Sequence, residues 1–254
     1  MDRYENRKCK LILFLSLIIL AAVIACLPTT HVQDPHLVLK PMFEWYADHE
    51  YGNFQEYSWR HSNTECGNLK ILPDPTRSGQ GYVYQGQLTC SVGNHQNHRL
   101  YPTLNLERCL KGPFKSTFWL WADIPLKDSQ GWVSFATYTN VKNWKDLFGV
   151  NLDTKNGSAY LVIFHVPKFG KGEFIKESPV NFPMKKWVRV DVSVEADGQI
   201  KVYQDKHLVA SALKDWGPDG PAICEAHWGL YAEGRTEKAL LLNDDISIIS
   251  YGIP

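Results

Sequence analysis

Residues 187–194 alternate without interruption. Val188, Val190, Val192 and Val194 fall on one face of the segment, and Trp187, Arg189, Asp191 and Ser193 fall on the other. A period of two with β-branched residues on one side describes a strand with a single buried face. Ala196-Asp197-Gly198 then turns the chain into a second strand over residues 199–204, so the pair reads as a hairpin. Beyond residue 41 no helical periodicity persists for ten residues, and the chain is expected to be built from strands alone.

Other segments follow the same rule. Residues 116–124 form an aromatic-rich run closed by Pro125, and residues 132–139 form another. Residues 149–152 and 158–166 flank Asp153-Thr154-Lys155-Asn156-Gly157, where Asn-Gly is a strong hairpin signal. Residues 226–232 and 240–249 complete the set. Short strands separated by turn residues, each with an apolar face, predict an all-β fold: a two-sheet antiparallel β-sandwich.

The N-terminus predicts where the protein works. Arg3, Arg7, Lys8 and Lys10 precede an apolar run over residues 11–25 that only Ser16 interrupts, and Val23-Ile24-Ala25-Cys26 closes it. A basic segment, an apolar segment and a small residue before the cut describe a secretory signal. The closing four residues resemble a bacterial lipobox, which makes Cys26 the lipidation candidate and gives the membrane a lipid-anchored partner. As a helix the run rises only about 22 Å at roughly 1.5 Å per residue, short of the ~30 Å needed to span. The expected organisation is a lipoprotein-type signal at 1–26, a proline-containing tether at 27–41 and one domain at 42–254. The expected location is extracytoplasmic, either lipid-anchored or secreted.

In that compartment Cys66, Cys90, Cys109 and Cys224 are expected to form disulfides, with three connectivities open. Paired C-x-x-C spacing for a zinc site is absent. Lys plus Arg equals Asp plus Glu at 27 each, so no electrostatic case exists for a nucleic-acid partner. The nine Trp and twelve Tyr are the unusual quantity. Amphipathic rings in such numbers mark surfaces that bind sugars or proteins.

Two stretches carry a family resemblance. Near the start, Phe43-Glu44 is followed by Gly52 and Trp59, then Asp74-Pro75 with Arg77 and Gly79. Near the end, residues 187–192 precede Asp197-Gly198 and His207-Leu208-Val209, then His227-Trp228-Gly229-Leu230-Tyr231 and Asn243-Asp244-Asp245-Ile246. Together they resemble the concanavalin A-like jelly rolls, in particular the polysaccharide-lyase and laminin-G-like branches. The resemblance implies a carbohydrate-binding sandwich with a polysaccharide or glycan as partner. Its alternatives are a lyase that cleaves a uronate polymer by β-elimination and a protein-interaction domain.

The lyase branch supplies candidate residues. Arg99 would hold the substrate carboxylate, His165 would be the base and Tyr231 the acid, since elimination needs charge stabilisation at the carboxylate and proton transfer on either side of it. Period-two geometry puts His227, Gly229, Tyr231 and Glu233 on one face, with Trp228, Leu230 and Ala232 in the core. Tyr138, His227 and Trp132 are expected to line a concave groove. Glycosidase chemistry needs two opposed carboxylates, and the Glu-x-Asp-x-x-Glu motif of jelly-roll glucanases is absent. The resemblance further implies a structural calcium ion held by Glu44 in the first strand and Asp245 in the last, both hard oxygen ligands.

Overall fold

The computed structural model describes residues 41–251 apart from 78, 80, 94–95, 128–131, 143 and 169–171. The expected signal at 1–26, with the lipidation candidate Cys26, and residues 27–40 of the expected tether lie outside the described residues. Two antiparallel sheets form a sandwich. One holds β1 (Pro41–Ala47), β3 (Gly67–Pro73), β4 (Tyr82–Leu88), β6 (Phe114–Asp123), β11 (Val188–Val194), β12 (Gln199–Gln204), β13 (His207–Leu213) and β15 (Ala239–Tyr251). The other holds β2 (Trp59–Ser62), β5 (His98–Lys111), β7 (Val133–Thr139), β8 (Leu147–Lys155), β9 (Ser158–Val166), β10 (Glu173–Asn181) and β14 (Ala222–Ala232).

The alternating valines behave as expected: Val188, Val190, Val192 and Val194 are all buried, and β11 pairs with β12 through the Asp197-Gly198 turn. The Asn156-Gly157 turn joins β8 to β9 with both residues at positive φ, 52° and 73°, the backbone that a tight hairpin turn of the primed type requires. The seven-stranded sheet runs β10–β9–β8–β7–β14–β5–β2. That order brings β14 between β7 and β5, with β2 at the edge.

The core lies between the sheets. Trp228 on β14 stacks on Trp45 of β1 with centroids 5.1 Å apart, and its indole N–H donates to the Ser116 hydroxyl of β6 at 3.3 Å. The buried Tyr84 hydroxyl on β4 donates to the Leu100 carbonyl of β5 and joins the two layers at their centre. Rings of this size dominate the energetics, since truncating one buried aromatic typically costs about 3–5 kcal/mol.

The cysteines pair as Cys66–Cys90 and Cys109–Cys224. Both bridges suit an oxidising compartment and point to a protein that works outside the cytoplasm. Among the described residues no helix is long and apolar enough to cross a membrane.

Glu44 and Asp245, the expected calcium pair, are not brought together. Register places Glu44 opposite Ile249, whereas Asp245 lies beyond the Ala47–Ile246 pair where β15 bulges. Asp245 is already engaged, since the Tyr46 hydroxyl donates to it, and Arg77 sits 3.3 Å from the neighbouring Asp244. No group of three or more His, Cys, Asp or Glu among the described residues is placed to share a metal ion.

Candidate functional site

The outer face of the seven-stranded sheet gathers the chemistry. Core-facing Ala226, Trp228, Leu230 and Ala232 leave His227 and Tyr231 pointing outward from β14. On the neighbouring strand Tyr231 pairs with Arg99 and His227 pairs with Thr103, and β2 adds His61 opposite Tyr101 and Trp59 opposite Thr103. Strands about 4.8 Å apart with side chains on one face make these residues contiguous.

The rings interlock. Tyr101 stacks on His227 with centroids 3.8 Å apart and planes within 13°. Tyr231 stands edge-on to both at 5.9 and 6.0 Å. His61 meets Tyr101 at 5.1 Å and Trp59 at 4.1 Å. Trp132 flanks Tyr231 at 4.9 Å, and Trp144 flanks His227 at 5.1 Å. Arg99 holds its guanidinium 5.8 Å from the centre of the Tyr231 ring.

Polarity is concentrated on the same face. The Asn97 amide donates to the Tyr231 hydroxyl at 3.0 Å, so the oxygen has a donor and its own proton is left to give. Burial, reinforced by His61 and Arg99, pushes the His227 imidazole down to about 3, which keeps it neutral. Burial and then Arg99 lower His61 as well. Burial raises the Tyr101 phenol well above the usual range although Arg99 opposes it, and burial raises the Glu225 carboxyl, with Lys142 opposing. The buried atoms Thr103 Oγ1, His227 Nδ1 and both amide atoms of Asn151 have no hydrogen-bond partner among the described residues. Groups of this kind are costly when left dry and are met at binding surfaces by ligand hydroxyls or by water.

Arg99, Tyr231, His227 and Trp132 therefore fall together as expected, and two other expected residues do not. Tyr138 is fully buried; it lies between Phe148 at 5.0 Å and Trp228 at 6.1 Å in the inter-sheet core. Every residue of β7 is buried and the strand carries a bulge between Ser134 and Ala136, so counting by twos misassigns its faces. His165 pairs with Phe148, which pairs with Tyr138. It consequently faces away from Tyr231, and its Nε2 lies 3.4 Å from Asp146. It is not the base of an Arg99–Tyr231 site.

Gly229 also leaves its expected face. Its φ of 123° and the bulge between Trp228 and Tyr231 turn it inward, towards Tyr84. Sequence reasoning missed Trp59, His61, Tyr101, Asn97, Thr103, Trp144 and Asn151. Tyr101 alone carried a readable signal, because it shares the parity of Arg99.

No protein-family model matches the sequence, and no curated protein matches it. Solved structures do. The chain is similar to endo-β-1,4-glucuronan lyase from the fungus Trichoderma reesei, with a TM-score of 0.62 and 12% identity over 83% of this chain and 96% of that one. It is similar to the cellulose-induced protein Cip1 (0.58, 16%, covering 82% and 98%). It is also similar to the T. cruzi calreticulin globular domain (0.50, 10%, covering 82% and 87%). At these identities the likeness is one of architecture, and that architecture is the concanavalin A-like jelly roll.

Proposed function

We propose that this chain binds a uronate-containing polysaccharide outside the cytoplasm, on the outer face of its seven-stranded sheet. One observation carries the reading: Arg99 and Tyr231 stand side by side in a ring cluster beside buried polar atoms of Thr103, His227 and Asn151 that have no partner among the described residues. Stacked rings suit the apolar faces of sugars, unpaired amide and hydroxyl groups suit their hydroxyls, and the guanidinium suits a carboxylate. The first-named structural neighbour is a glucuronan lyase, which fits a uronate but carries no residue-level argument at its identity.

A second reading is favoured by the Asn97–Tyr231 hydrogen bond. A tyrosine hydroxyl fixed beside a cation can protonate the departing glycosidic oxygen in a β-elimination while Arg99 stabilises the charge on the uronate carboxylate. With His165 turned away, two neutral imidazoles remain in the cluster, and His61, partly exposed where His227 is buried, is the one placed to take the C5 proton.

Isothermal titration against alginate, glucuronan, heparin and pectin tests the binding. The wild type is expected to bind at least one of them, and Arg99→Ala or Trp132→Ala to weaken that binding by about tenfold or more, roughly 1.4 kcal/mol. Silence across the panel would remove the proposal. Tyr231→Phe separates the two readings, since loss of unsaturated-uronate absorbance with retained binding identifies an enzyme.

A further inference from the structure

Between β7 and β8, the described residues 140–142 and 144–146 reach both faces of the sheet. The two ends of this loop are tied together: the Asn140 N–H donates to the Asp146 carbonyl at 3.2 Å, and the Asn140 amide donates to the Asp146 carboxylate at 3.2 Å. The Thr139 hydroxyl lies 2.6 and 2.8 Å from the carbonyls of Val141 and Asp146, with one proton to give.

The root of the loop is clamped from the far side. Lys214, its side chain 1% exposed, holds Asp146 at 2.9 Å. His165 adds a contact at 3.4 Å. Lys214 is itself fixed by the Asp215 carbonyl at 3.1 Å and by the Trp216 ring at 4.5 Å.

Near the tip, Trp144 has a φ of 60°, a left-handed backbone uncommon for a bulky side chain. Such a conformation persists where its surroundings over-determine it and clusters at ligand clamps. Here it lays the Trp144 ring against His227. A buried Lys–Asp pair is a weak device for stability, because desolvation offsets most of its attraction. What it supplies is one fixed geometry.

We infer that Asp146, Lys214 and His165 are positioning residues for ligand binding, holding Trp144 as a preformed wall of the outer-face site. A wall already in place spares the ligand the ordering of a loop. The inference rests on the sugar-binding reading above and gives His165 a role on the opposite face from the one its sequence position implied.

A double-mutant cycle on the full chain, read by calorimetric affinity for whichever of alginate, glucuronan, heparin and pectin the wild type binds, tests it. Trp144→Ala is expected to weaken binding about tenfold. Lys214→Met should weaken it by a similar factor alone and by less than about twofold in the Trp144→Ala background, because coupled residues are non-additive. Lys214→Arg keeps a cation beside Asp146 but places a larger head in a buried, stacked site, so it should bind more tightly than Lys214→Met and more weakly than the wild type. If Lys214→Met does not fold, Asp146→Asn runs through the same cycle.

A weakening of equal size with and without Trp144 overturns the inference, and so does an unchanged affinity. If Arg99→Ala abolishes binding while the clamp variants leave it intact, the inference falls and sugar binding stands. A wild-type chain that binds none of the four polymers overturns both.

Discussion

Gly229→Ala should destabilise the folded chain by about 3–5 kcal/mol, the sum of a strained backbone and an overpacked contact. Position 229 has a φ of 123°, and an added Cβ would lie 2.6 Å from two ring carbons of Tyr84. That ring cannot retreat. It is fully buried, and its hydroxyl is committed to the Leu100 carbonyl. The effect should spread outward, because the same bulge sets where Trp228 enters the core and where Tyr231 leaves it. Gly157→Ala is the control: its φ is 73° but nothing lies within 4 Å of an added Cβ, so only backbone strain remains, about 1 kcal/mol. Denaturant titration of both variants checks the pair. A Gly229→Ala loss no larger than that of Gly157→Ala would show that Tyr84 moves freely.

The contrast between Gly229 and the β11 valines explains which parts of the molecule can be read from its sequence. β11 keeps a strict period of two and buries only one face, so each residue declares its side. The β8–β9 hairpin was equally plain, because Asn156-Gly157 is a turn that few other dipeptides can make. β5 was opaque. It contains Pro102 and buries five consecutive residues, Leu100 to Leu104, so no alternation marks it as a strand. Tyr138 and His165 failed for a related reason: on a strand buried from both sides or interrupted by a bulge, the face is set by the partner strand. For His165 that partner is Phe148, a core residue.

The site was legible along β14, at Arg99 and at Trp132. Trp59, His61 and Tyr101 join it through the order β2–β5–β14–β7, which places residues far apart in the chain side by side. Trp144 joins it through a loop conformation fixed by Lys214 across the sheet. Apart from the parity that Tyr101 shares with Arg99, neither relation leaves a periodic trace in one sequence.

His227 should make the fold acid-sensitive in a window of its own. In the folded chain burial lowers this imidazole to about 3, whereas an unfolded histidine titrates near 6.5. Above pH ~6.5 neither state binds the proton, and the residue contributes no pH dependence. As pH falls from there towards 3 the unfolded state binds a proton that the folded state refuses. Stability therefore drops with acidification, by about 1.4 kcal/mol per pH unit once well below 6.5. Between pH 7 and pH 5 the loss assigned to this one residue is about 2 kcal/mol. His61, His98 and His165 are lowered as well, so each adds a slope of the same sign and the whole-protein profile cannot isolate His227. The measurement is a difference. Denaturant stabilities of wild type and His227→Gln at pH 7 and pH 5 should show the wild type losing about 2 kcal/mol more than the variant over that interval. Confining the comparison to pH 5 and above keeps Asp146 and Asp191 ionised, since Lys214, Arg189 and their other partners hold both carboxyls below the usual range. Equal losses in the two proteins would mean that the folded imidazole accepts a proton near its ordinary value. It would then be able to act as a cation beside Arg99 and not as the neutral hydrogen-bonding group that the Tyr101 stack and its burial require.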